Sequence, residues 1–264
     1  MINQKRYIDK IVRETGQTDA KFSTHPIDVG YWKLEGKTLA TNEEYRKIIG
    51  MLLYLSTNSR PDIAASVSIL SQKVQSPRDV DLNEAKRIVK YLKGTRDLKL
   101  KLSSDCSERL YAFSDANWAE DRVDRKSNSG YYCSVNGGAI SWCCRKQDVV
   151  ALSSAEAEFI ALSETCKEMS WLKRLVAEMK IDVPLTTTIY TDSQSAMSMI
   201  NNQKFSNRTK HIDTRFHFIR DKVMNKEMTL KYESTDKNVA DMMTKPLGPT
   251  KIKDLRTKAG LTEI

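Results

Sequence analysis

The chain has 264 residues, a hydrophobic fraction of 40%, a charged fraction of 29% and a formal net charge of +9, enough to bury a sizeable core and basic enough to favour a polyanionic partner. No apolar run reaches the ~18 residues of a bilayer span, and Met1-Ile-Asn-Gln-Lys-Arg6 lacks the apolar core of a secretory signal. A membrane protein is therefore not expected, and the chain reads as intracellular, cytoplasmic or alternatively nuclear.

Residues 1–102 read as helical and basic. Tyr45, Ile48, Ile49, Leu52, Leu53 and Leu55 recur at the spacing of a buried helix face. Pro61 opens the next predicted helix, Asp62 to about Val74. A third helix is predicted over Asp81–Leu92, with Leu82, Ala85, Ile88, Val89 and Leu92 inward and Gly94 as its stop. Lys86, Arg87, Lys90, Lys93 and Arg96 decorate this segment. A solvated face and a contact with phosphates both account for them.

After residue 102 the rhythm changes. Leu110–Ser114, Gly130–Val135 and Ala139–Cys144 read as strands, with Asn136-Gly137-Gly138 as a hairpin turn. A long helix follows from about Ser153 to Met179, then a strand at Thr186–Thr191 and helices near Ser193–Asn201 and Lys210–Met224. A strand at Met228–Glu233 and a short helix near Asn238–Thr244 come next. Hairpin-linked strands beside strand–helix alternation predict a mixed α/β sheet. Residues 248–264 are polar and read as a loosely held tail. The five cysteines have no metal-ligand spacing and are expected to be reduced and mostly buried.

Several acids stand in costly places. Alternation puts Asp115 on the same strand face as Tyr111 and Phe113, unless the strand has already ended and Asp115 begins a loop. Ser153 and Glu156 have the spacing of a capping box, which accounts for Glu156. Glu158 lies about 200° further round the helix and capping does not explain it. Asp192 closes the strand ending Ile189-Tyr-Thr191 and is either a helix cap or a ligand at a sheet end. Asp241 reads on its own as a solvated acid near a helix start, and Asp121, Asp124 and Asp236 as solvated acids. Hard divalent cations require oxygen ligands of this kind.

These residues fall into longer motifs. Ser114-Asp-Ala-Asn-Trp-Ala-Glu-Asp121, Asp124-Arg-Lys-Ser-Asn-Ser-Gly-Tyr131, Val150-Ala-Leu-Ser-Ser-Ala-Glu-Ala-Glu158, Tyr190-Thr-Asp-Ser-Gln194 and Asn238-Val-Ala-Asp-Met-Met-Thr-Lys-Pro-Leu247 closely resemble the ribonuclease H domain of copia-type retrotransposon Pol polyproteins. Tyr45-Arg, Ile49-Gly-Met-Leu-Leu-Tyr54, Arg60-Pro-Asp-Ile63 and Tyr91-Leu-Lys-Gly94 resemble the end of the reverse transcriptase region before it. The resemblance implies an α/β fold with a mixed five-stranded ribonuclease H-like sheet flanked by helices (103–247). A mainly helical remnant of the thumb or connection region (1–102) would precede it, with the tail at 248–264. It also implies an endonuclease that cuts the RNA strand of RNA/DNA hybrids, leaving 5′-phosphate and 3′-hydroxyl ends. Its metal ligands would be Asp115, Glu158, Asp192 and Asp241, holding two Mg2+ ions for which Mn2+ could substitute. Expected partners are the hybrid and the missing fingers and palm of the polymerase. A hybrid track is expected along Lys86, Arg87, Lys90 and Lys93, and along Arg208, Lys210 and Arg215.

Three departures stand out. The polymerase Tyr-x-Asp-Asp motif is absent, so the chain is not expected to polymerise DNA. The loop Glu233-Ser-Thr-Asp-Lys-Asn238 has no histidine where many ribonucleases H carry a mobile one, and His211 and His217 lie upstream, where a structural or substrate-contact role is expected. The first acid reads Asp115-Ala-Asn rather than Asp-Gly-Ser. The rival readings are an inactive transposon-derived nucleic-acid-binding or scaffold module, and an integrase-like or resolvase-like nuclease.

Overall fold

The computed structural model describes residues 1–102, 109–121, 123–181, 184–201 and 210–263. Two compact units emerge, one formed by Met1–Leu102 with Lys245–Ile264 and the other by Ser103–Thr244.

The first unit contains α1 (Lys5–Glu14), α2 (Glu43–Asn58), α3 (Ala64–Ser71) and α4 (Asp79–Gly94). The α2 stripe buries Tyr45, Ile48, Ile49, Leu52 and Leu55 against Ile8 and Ile11 of α1, Leu70 of α3 and Ile88 and Leu92 of α4. Leu53, expected inward, is 40% exposed because it stands at the rim of the 100°-per-residue stripe. Pro61 opens a 3-10 turn, Pro61–Ile63, and not α3 itself. That turn directs Arg60 and Asp62 into the interior, where Arg60 Nη2 and Asp62 Oδ2 lie 2.7 Å apart with both side chains almost fully buried. Tyr91 donates its hydroxyl to Asp62 at 2.7 Å and Arg60 donates to the Thr95 hydroxyl, so this charge pair is satisfied on both sides.

The expectation of a loose tail at 248–264 is corrected. Pro249 stands in the first turn of α8 (Pro249–Lys258), a position that needs no amide donor. Ile252, Leu255 and Ala259 form an apolar stripe at helical spacing, all at most 2% exposed. The following β7 (Leu261–Thr262) pairs antiparallel with β1 (Lys99–Leu100). Arg256 of α8 donates to the Tyr91 hydroxyl at 2.9 Å, joining the Arg60–Asp62 network.

The second unit is built on β2 (Leu110–Ala116), β3 (Asn128–Val135), β4 (Gly138–Lys146), β5 (Thr187–Thr191) and β6 (Met228–Tyr232), in the sheet order β4-β3-β2-β5-β6. β2, β3 and β4 are antiparallel neighbours, whereas β5 runs parallel to both β2 and β6. This is the mixed five-stranded, ribonuclease H-like sheet expected from the sequence. The hairpin turn is the pair Asn136 and Gly137, both at positive φ, as a two-residue turn of this hand requires. Gly138 already belongs to β4.

Helix α5 (Ser154–Glu178) lies on one face of the sheet. Its Phe159, Leu162, Cys166 and Met169 pack with Leu110 and Ala112 of β2 and Ile189 of β5. Cys133 and Cys166 are buried thiols, and burial pushes Cys166 up to about 12, so both behave as apolar core groups. The unit also holds α6 (Gln194–Asn201), α7 (Lys210–Met224) and a 3-10 turn, Val239–Met243. Among the described residues no helix is long and apolar enough to cross a membrane.

Candidate metal centre

The position of the acids follows from strand periodicity. Even-numbered Leu110 and Ala112 face α5, so Tyr111, Phe113 and Asp115 take the other face. There the Phe113 and Tyr190 rings stack with centroids 5.1 Å apart. Phe113 and Tyr190 are direct neighbours in the parallel β2–β5 pair, and Asp115 and Asp192 each lie two residues beyond. Continued two residues on, the parallel register brings Asp115, near the end of β2, level with Asp192, the first residue past β5. Asp115 is still inside β2, paired with Gly130 and 1% exposed, so it does not begin a loop.

Local capping decides which acids remain available. Ser193 caps α6, its Oγ accepting from the amide of Ala196 at 3.2 Å. Asp192, one residue earlier, is therefore not the cap. At α5 the Ser153 Oγ accepts from the Glu156 amide, as the capping box predicts. Glu156 reaches back to the amide of Leu152 at 2.9 Å, one residue before the cap itself. Glu158 is left by this arrangement to point toward the strand ends. One carboxylate oxygen each from Asp115, Glu158 and Asp192 lie within 4.8 Å of one another, with Asp115 buried and the other two half-buried.

Asp241 departs from its solvated reading. It sits in the turn Val239–Met243 and is fully buried, and it is not among the three acids that converge within 4.8 Å. The turn is capped by Asn238, whose Oδ1 accepts from the Ala240 amide and whose Nδ2 donates to the Ser114 carbonyl at 3.0 Å. That second bond fastens the turn to β2 beside Asp115. Asp121 is also not solvated: it is 2% exposed and pairs with Lys146 at 2.7 Å, while Asp124 pairs with the same ammonium. Together these bonds brace the loop after β2.

Two threonines that sequence reasoning did not single out touch the aspartates. The buried Thr244 hydroxyl donates to Asp115 Oδ2, and the Thr235 hydroxyl donates to Asp192 Oδ2 at 2.6 Å. The only sequence signal for Thr244 is its position one turn after Asp241. Nothing local marks its partner 129 residues away.

The basic residues are largely engaged within their own units. Lys86 pairs with Glu44 at 2.7 Å, and Arg87 with Glu84 at 2.9 Å and Asp28 at 3.6 Å. Lys93 donates to the carbonyl of Ala20 at 2.8 Å. Lys90 lines a hollow with Lys21, His25 and Arg87. In the second unit Arg215 donates to Glu164 at 2.8 Å. Burial pushes the Glu164 carboxyl upward, but Lys167 and Arg215 together outweigh it and hold it below the ordinary value. Arg208 and the side chains of Lys210 and His211 lie outside the described residues. His217 is exposed on α7, edge-on to the Phe216 ring at 5.5 Å.

No protein-family model matches the chain. It is 35% identical over 98% of its length to the retrovirus-related Pol polyprotein from transposon TNT 1-94 of Nicotiana tabacum, and 36% identical over 100% to that from transposon RE1 of Arabidopsis thaliana. It spans 20% and 18% of those relatives' own lengths. Among solved structures, an LC11 RNase H1 in complex with an RNA/DNA hybrid aligns over 52% of this chain and 94% of its own, at 12% identity and a TM-score of 0.40. The resemblance read from the carboxylate motifs and the identity to two plant transposon polyproteins along nearly the whole chain agree: the chain belongs to the copia-type, retrovirus-related Pol polyproteins.

Proposed function

We propose that the second unit is a retrotransposon ribonuclease H that hydrolyses the RNA strand of RNA/DNA hybrids. The observation that carries this reading is the convergence of Asp115, Glu158 and Asp192 within 4.8 Å. Three like charges at that separation repel by about 1 kcal/mol per pair in water and about 4 at an effective dielectric of 20. A fold that holds them together is suited to a cation. The donors are all carboxylate oxygens, which fits hard ions such as Mg2+ or Mn2+ and not a zinc site.

Asp115, Glu158 and Asp192 are the assigned ligands. Asp241, on the turn whose neighbour Thr244 touches Asp115, is the fourth acid of the proposed set. Divalent ions bound there would supply a nucleophile from water and neutralise charge on the phosphodiester and its leaving oxygen. The chain's own contribution is positional. The β2–β5 register sets the two aspartates side by side, α5 brings Glu158 to them, and the apolar sheet behind keeps bulk water off the buried side. Lys86, Arg87, Lys90, Lys93, Arg208, Lys210 and Arg215 are the proposed contacts with hybrid phosphates. Lys90, which makes no ion pair among the described residues, is the readiest of them.

The test is cleavage of an end-labelled RNA/DNA hybrid by the purified chain, with and without Mg2+. Asp192→Asn should lower the rate on the order of 10³-fold or more, the several kcal/mol expected from disabling a metal site. Equal activity of the variant would refute the assignment. No cleavage by the parent chain would favour an inactive scaffold module, and preferential cutting of duplex DNA an integrase-like nuclease.

A further inference from the structure

The segment from Glu233 to Thr244 contributes more than Asp241. Its two threonine hydroxyls each donate to one oxygen of one aspartate in the cluster: Thr244 to Asp115 Oδ2 and Thr235 to Asp192 Oδ2. The last torsion of an aspartate has a broad, nearly two-fold profile, so the strand backbone fixes where a carboxylate sits but not how its plane is turned. Mutual repulsion among Asp115, Glu158 and Asp192 would turn those planes apart. A hydroxyl donated to an ionised oxygen is a charge-assisted bond, stronger than a neutral one, and holds the plane against that repulsion.

The Thr244 hydroxyl also lies 3.2 Å from the Asp241 carbonyl within the turn, but other groups already dock the turn. Asn238 already bonds the turn to the Ser114 carbonyl, and Val239, Ala240, Met242 and Met243 are all buried. Gly130, the direct partner of Asp115 in β3, leaves the gap that Thr244 enters: a Cβ there would lie 2.6 Å from Thr244 Cγ2 and 2.7 Å from Met243 Cβ. The methyl and backbone of Thr244 thus fill a shape, while its hydroxyl is directed at the carboxylate.

We propose that Thr244 and Thr235 are positioning residues that preset Asp115 and Asp192 for a divalent cation, so that metal affinity in this protein depends on two hydroxyls from the closing segment. This rests on the metal-centre reading above. Thr244, dry and fully buried, carries the larger share, and Thr235, at the surface where water competes for Asp192, the smaller.

The experiment is calorimetric titration of the metal-free full chain with MnCl2, beside thermal unfolding of the same samples. Thr244→Val keeps the volume and removes only the donor. It should weaken Mn2+ binding about 10- to 100-fold, the range for losing a group that orients a ligand, while Thr244→Ser restores it to within about 3-fold of the parent. Thr235→Val, exposed and no threat to folding, should weaken binding only about 3- to 10-fold. Asp115→Asn serves as the reference for a lost ligand. Parent-like Mn2+ affinity in both valine variants, with Asp115→Asn defective, overturns this proposal and leaves the metal centre standing. Should Thr244→Val unfold, Thr235→Val decides: affinity equal to the parent's overturns the proposal. A parent chain that takes up no Mn2+, with Asp115→Asn indistinguishable from it, overturns both readings.

Discussion

The two units each bury acidic charge, and they do so in opposite ways. In the first, Asp62 faces Arg60 at 2.7 Å and accepts a further bond from Tyr91, with opposite charges matched and donors satisfied. In the second, three acids of the same sign are driven together at the ends of two strands and a helix. The first arrangement is complete in itself and serves the fold. The second sets like charges side by side, an arrangement compatible with a divalent cation. Sign and company separate a structural buried charge from a site more sharply than burial does, since Asp62 and Asp115 are both 1% exposed.

That contrast can be broken by substitution. Arg60→Met should be the most damaging change, destabilising the first unit by about 3–5 kcal/mol because Asp62 is left buried without its counter-charge. Chemical denaturation would measure it, and a loss under 1 kcal/mol would mean that Asp62 finds other compensation. Gly130→Ala comes next: the added methyl meets Thr244 and Met243 at under 3 Å. The expected cost is about 1–3 kcal/mol, together with weaker metal binding as the turn backs away from Asp115.

The pH dependence of the first unit sharpens the comparison. Burial pushes the Asp62 carboxyl upward, yet Arg60, with Tyr91 and Arg256, holds it below its ordinary 3.8. Asp81 is likewise lowered, burial being outweighed chiefly by Arg78. Carboxylates depressed on folding contribute stability that is full above their unfolded value and lost as pH falls through the folded one. Stability of this unit should therefore hold near neutrality and decline below about pH 4, as followed by circular dichroism. The smallest effect is expected where the charges are alike. Asp192→Asn, which disables the proposed nuclease, should leave metal-free thermal stability unchanged or raise it by up to about 1 kcal/mol. Clear destabilisation by this variant would show that Asp192 serves the fold, as Asp62 does.

Much of the fold was legible in the sequence because period-two and period-3.6 patterns are local. The face of Asp115 followed from Tyr111 and Phe113, and the choice of Glu158 over Glu156 from the cap at Ser153. Asp192 was ambiguous beside Ser193, since either residue makes a good helix cap and only coordinates show which one does. Asp241 read as solvated because a short polar-flanked turn has no periodicity to reveal burial, and Asp121 because its partner Lys146 stands on another strand. The terminal segment read as loose because its lysines and threonines outnumber Ile252 and Leu255, although the spacing of those two sufficed to predict a buried stripe. Thr244 and Gly130 were beyond reach, as their roles exist only where β2, β3 and the last turn meet.

The return of the chain to its starting unit has a genetic consequence. All of Ser103–Thr244 is threaded between two portions of one body, and Arg256, near the end, reaches the same tyrosine that holds Asp62. A stop codon just after Thr244 would spare every proposed metal ligand yet strip α8 and β7 from the helical unit. Truncation within α8 or β7 would thus act on the unit that Met1–Leu102 begins, and not on the residues that carry the proposed ligands.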